Sequence, residues 1–146
     1  MAMPATERAV LWATCLVLAA IGVVLGTIES FLVPLRLFNG TEGLSVVLAV
    51  VGNALIGSLA GLATRSLAAA VMPVVGWVVA VGALLIVARG GDVVFVGKLP
   101  ADPGVVVVGN VFLFAGILAG VAALFVTTRA IRSDYTNPVN PPTPQV

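Results

Sequence analysis

The chain is predicted to be an all-α integral membrane protein, a four-helix bundle. Three observations carry this. Four long runs of apolar sequence recur through 146 residues. Hydrophobic residues make up 60% of the chain and charged residues only 9%, with a mean hydropathy of +1.19. A soluble domain carries about 25% charged residues, so this chain has too few to cover a water-facing surface. The charges it does have fall at the ends of the apolar runs. A helix rising about 1.5 Å per residue crosses a hydrocarbon core of about 30 Å in roughly 20 residues, which sets the length each run must reach.

The stretch from Gly43 to Ala88 is the clearest. Two charge-free runs, GLSVVLAVVGNALIGSLAGLA and LAAAVMPVVGWVVAVGALLIVA, flank Thr64-Arg65-Ser66. Three residues leave no room for a soluble domain, so the helices return past each other as a hairpin, with spans at about 43–63 and 67–88. Pro73 lies near the start of the second of these, where a proline removes little intrahelical bonding.

The first span is expected at about 9–35, because apolar character resumes after Glu29 and continues toward Pro34. A signal peptide is the competing reading of this run. Against it, the run is longer than the usual 7–15 residues, roughly, and no good small-residue cleavage site follows. Residues 36–42 (RLFNGTE) read as a tight loop with Asn39-Gly40 as its turn signal. Arg89 to Pro103 is the longest connection, and its Val93-Val94-Phe95-Val96 reads as a short extended or interfacial piece. The fourth span is expected at about 104–128. Residues 1–128 then form one transmembrane domain, and 129–146 a disordered, proline-rich cytoplasmic tail.

Orientation follows from lysine and arginine near the spans. With four spans both termini share a side. That side holds Arg8, Arg65, Arg129 and Arg132, and the other holds Arg36, Arg89 and Lys98. The expectation is a multi-pass protein of the cell membrane with both termini cytoplasmic.

Inside lipid, helices gain little from hiding apolar side chains, and close backbone approach matters more. Three spans carry glycines one turn apart: Gly22/Gly26, Gly57/Gly61 and Gly116/Gly120. They predict tight helix contacts, either within the chain or between chains. A faint echo links Gly52-Asn53 in the second span to Gly109-Asn110 in the fourth, each ahead of its glycine pair.

Few polar groups sit within the spans. Glu29 is the candidate ion or proton site, since intramembrane carboxyl groups are costly and usually purposeful. Counted along the first span, it lies nearer the outer interface than the middle. The competing reading is an interfacial acid that reaches water or pairs with Arg36 or Arg89. Asn53, half-way along the second span, needs a partner in a dry environment and reads as helix-packing glue. Trp12 and Trp77 read as interface or packing aromatics. Arg89-Gly90-Gly91-Asp92 reads as loop structure, because it lacks the strand and helix of a phosphate loop.

The run PVVGWVVAV (Pro73 to Val81) followed by RGGDVVF (Arg89 to Phe95) resembles a group of small four-span actinobacterial membrane proteins. Those carry a similar proline-x-x-glycine-tryptophan run and then a Gly-Asp-aromatic segment. The resemblance implies four spans and a Gram-positive-type cell membrane. It implies no activity and no site residue.

There is no histidine, and the one cysteine, Cys15, lies within the first apolar run and reads as a small buried hydrophobe. No nucleophile–base set and no metal-ligand cluster occurs, so no catalytic residue, metal or cofactor is expected. A net charge of +1 gives no electrostatic footprint for nucleic acid. The expected partners are the lipid bilayer and other membrane proteins or further copies of the chain. Two functions compete: a non-enzymatic accessory or interaction subunit, and a small oligomeric proton-coupled transporter using Glu29. Four-span multidrug exporters work as oligomers in this way, but the chain matches that family poorly. Their carboxylate sits mid-helix among aromatics, and this chain has few.

Overall fold

The computed structural model describes residues 4–33, 36–37, 40–41, 43–87 and 103–136. It contains four helices: α1 (Ala5–Leu32), α2 (Leu44–Thr64), α3 (Leu67–Val87) and α4 (Pro103–Thr136). All four are long and apolar enough to cross a membrane. Between α1 and α2, the pair β1 (Arg36–Leu37) and β2 (Gly40–Thr41) runs antiparallel, with Arg36 opposite Thr41 and Leu37 opposite Gly40. The connection after α3, including the Arg89–Asp92 and Val93–Val96 segments, lies outside the described residues.

Local chemistry sets the ends. α1 stops at Leu32, short of the expected 35, because Pro34 has no N–H to offer the Ser30 carbonyl. Instead Val33 donates its N–H to that carbonyl at 3.3 Å, tightening the last turn. α2 ends on Arg65, which takes a left-handed conformation (φ 50°) while the N–H of Ser66 bonds back to the Gly61 carbonyl at 3.2 Å. Ser66 then opens α3: its carbonyl accepts from the Ala70 N–H and its hydroxyl from the Ala69 N–H. Two residues thus reverse the chain. α4 corrects the expected tail, since it continues past 128 to Thr136. The segment Arg129–Thr136 contains no proline or glycine to stop it, and the first helix-breaking proline is Pro138. Residues 137–146 lie outside the described residues.

The packing is not sequential. α1 lies chiefly against α3, and α2 chiefly against α4; α2 and α3 form the central pair, and α1 does not touch α4 among the described residues. The contacting pairs run parallel. Gly22 meets Pro73 and Gly26 meets Trp77, while Gly57 meets Ala123 and Gly61 meets Thr127. Four residues onward in one helix is four onward in its partner.

Small residues make this approach feasible. The buried stripe of α2 is Ser45, Ala49, Asn53, Gly57 and Gly61, spaced every fourth residue. Such a row packs into the matching groove of a neighbouring helix. All three glycine pairs face inward within this one chain: Gly22 and Gly26 on α3, Gly57 and Gly61 on α4 and α3, Gly116 and Gly120 on Trp77 and Val74. The echo between α2 and α4 does not carry into three dimensions, since Asn53 is buried and Asn110 exposed. Bulky side chains concentrate in one core cluster of Val33, Ala49, Trp77, Val81 and Phe112.

Candidate functional site

Glu29 sits in the last turn of α1 and is only 3% exposed. Its Oε2 accepts a hydrogen bond of 2.7 Å from the indole Nε1 of Trp77 on α3. Its Oε1 faces α2, 3.3 Å from where a Cβ on Gly52 would stand. A larger residue than glycine at 52 would crowd the carboxyl, so three helices share in forming its pocket.

Trp77 joins this group to the fourth helix. It is 1% exposed, and its ring stacks obliquely on Phe112 of α4, with centroids 5.1 Å apart at 52°. Its six-membered ring lies over Gly116, where a Cβ would come within 2.6 Å of it. On the other side, Asn53 of α2 donates its amide to the Gly116 carbonyl at 3.5 Å. Glu29, Trp77, Gly116 and Asn53 therefore form a chain of contacts through α1, α3, α4 and α2 in turn.

Trp77 is the middle residue of α3, and Asn53 lies beside the middle of α2. Gly26 touches Trp77, so Glu29 is one turn beyond that level, toward the C-terminal end of α1, and its carboxyl leans back toward the indole. Trp77 is a core packing residue, whereas Trp12 is 61% exposed.

The arginines with described side chains, Arg8, Arg65, Arg129 and Arg132, lie at the far end of their helices from this junction. The side chains of Arg36 and Arg89, the partners considered for Glu29 from the sequence, lie outside the described residues. Among the described residues no group of three His, Cys, Asp or Glu gathers to hold a metal. Among the described residues the junction offers a single carboxyl, oriented by one indole N–H. A carboxyl is a group able to hold a proton or a small cation.

The remaining candidates are structural in placement. Cys15 is buried as a free thiol on α1. Ser30 and Thr127 turn their hydroxyls back onto carbonyls of their own helices, at 2.6 Å and 2.9 Å. Ser45 differs: its hydroxyl oxygen is buried with no hydrogen-bond partner among the described residues.

No family model, no curated protein and no solved structure matches this chain. Trp77 is the residue that sequence reasoning undervalued. One signal was present: tryptophans in membrane helices gather at the interfaces, and this one stands at the centre of a charge-free run.

Proposed function

We propose that this small multi-pass membrane protein is a proton- or cation-coupled transporter in which Glu29 is the coupling carboxyl. One observation carries the reading: the Glu29 carboxyl is buried within an apolar helix bundle, held by Trp77, at a junction to which all four helices contribute. Intramembrane carboxyl groups are costly, and they mark ion pathways and proton relays. A scarcity of aromatics set this chain apart from four-span exporters, whose carboxylate is aromatic-lined. In the folded chain Glu29 nevertheless lies beside the Trp77 indole with Phe112 behind. The test uses full-length protein in vesicles with a trapped pH dye, challenged with a panel of organic cations and small polar solutes. Wild type moves protons in step with one of them, and Glu29→Gln does not. Equal coupled flux from both proteins, or none from wild type across the panel, removes the reading.

A second reading, a non-enzymatic accessory subunit that binds other membrane proteins or its own copies, rests on a different surface. The glycine faces are occupied within the chain, so they no longer support it. The outer face of α4 does: Val107, Val111, Phe114, Leu118, Val121 and Phe125 are all exposed and alternate by four and three residues. That is the spacing at which a second helix packs along a seam. Recovery of a stoichiometric partner or homo-oligomer in mild detergent supports it, and a partner-free monomer counts against it.

A further inference from the structure

The seam between α1 and α2 has an opening beside Glu29. α1 packs closely on α3 and only lightly on α2. On the α3 side there is no room: the Cβ positions of Gly22 and Gly76 fall on the backbone of Pro73 and Ala19, and that of Gly26 falls against Trp77. Gly52 on α2 differs. It is partly exposed, and among the described residues a Cβ there would meet one atom within 4 Å, the Glu29 Oε1 at 3.3 Å. The missing side chain leaves a notch in the seam with a carboxyl oxygen at its base. Leu48 and Leu55, a turn to either side of Gly52 along α2, are exposed.

The walls of the notch select its occupant. Its mouth lies on the outer, apolar surface of the bundle, between leucines. An inorganic cation entering there has to shed its water with one carboxyl in exchange, since no group of three metal-ligating side chains gathers among the described residues. An organic cation carries its own apolar cover, which Leu48 and Leu55 match. The Trp77 indole holds Oε2, so the carboxyl keeps its orientation while Oε1 faces the notch.

We infer that a lipophilic organic cation enters from the bilayer through the α1–α2 seam at Gly52 and pairs with Glu29. The inference rests on Glu29 as the coupling carboxyl and gives that site a substrate class and a route. Full-length protein in phosphatidylcholine vesicles is treated with dicyclohexylcarbodiimide, which dissolves in lipid and adds to a carboxyl as an N-acylurea. Mass spectrometry of the Glu29 peptide reads the adduct. Wild type is labelled, and a charged, water-soluble carbodiimide labels it about tenfold less. Tetrabutylammonium protects Glu29; sodium and the lipophilic anion tetraphenylborate do not. Gly52→Val fills the notch and lowers labelling about tenfold. Gly52→Ala lowers it less, and Gly82→Ala, with open space at its Cβ position, leaves it unchanged. Equal labelling by the two reagents, protection by sodium or tetraphenylborate, or wild-type labelling of Gly52→Val overturns the inference. The reagent and protection arms use wild type alone, so they decide even if the valine variant fails to fold. Proton-coupled flux that persists beside any of those results leaves the transport reading standing, and the expected labelling without flux removes that reading alone.

Discussion

The carbonyl oxygen of Pro73 occupies the position that a Cβ on Gly22 would take, and three residues along α3 the relation is returned, with the Ala19 carbonyl where a Cβ on Gly76 would stand. Backbone meets backbone, with no side chain able to yield. Gly22→Ala and Gly76→Ala should therefore each destabilise the fold by about 1–3 kcal/mol, the usual range for overpacking. Gly82 is the control, since nothing lies within 4 Å of its Cβ position. Gly82→Ala should be neutral or stabilising by up to about 1 kcal/mol. Unfolding by denaturing detergent, followed by circular dichroism, separates the two classes.

Trp77→Phe keeps the ring against Phe112 and removes the donor to Glu29. Leaving that carboxyl without its partner should cost about 2 kcal/mol. Glu29→Gln retains an acceptor oxygen for the indole and should cost less than Trp77→Phe. A double-mutant cycle of Trp77→Phe with Glu29→Leu, which removes the acceptor, reads the coupling, and strict additivity of those two changes would mean that the hydrogen bond contributes nothing to stability.

Ser45→Ala should raise stability, by up to about 1 kcal/mol, because the hydroxyl is buried without a partner and alanine removes the group that is left dry. An equal loss instead would show that a hydrogen bond to this hydroxyl forms in the membrane.

Asn53→Ala should matter little. Its bond to the Gly116 carbonyl is long, at 3.5 Å, and interhelical hydrogen bonds in membranes average about 0.6 kcal/mol. Gly57→Leu, whose new atoms would meet Ala123 and the Ala70 carbonyl, should be far more damaging on the same α2 face. Measured in parallel, the two place α2's stability in close approach or in polar glue.

The helices were legible because lipid imposes a length, and the charges at Arg65 and after Thr128 marked where the spans end. The α2–α3 turn was legible for the same reason. Their partners were not. Glycine spacing shows that a face is flat, and Gly22/Gly26 carry no sign that they meet Pro73 and Trp77 rather than the adjacent α2. That Trp77 of α3 would donate to Glu29 was not legible either, because it depends on which residue of α3 stands opposite. The extension of α4 to Thr136 was hidden by prolines further on, whose influence reaches back only one residue.

Pairing each helix with its next-but-one neighbour has a consequence for biogenesis. Glu29 leaves the ribosome 48 residues ahead of the indole that receives it. At about 5–20 residues per second, that interval lasts several seconds. For that time α1 stands in the insertion machinery or the bilayer with its acidic side chain unclaimed. Assembly must therefore hold the first helix close by until the hairpin behind it has entered.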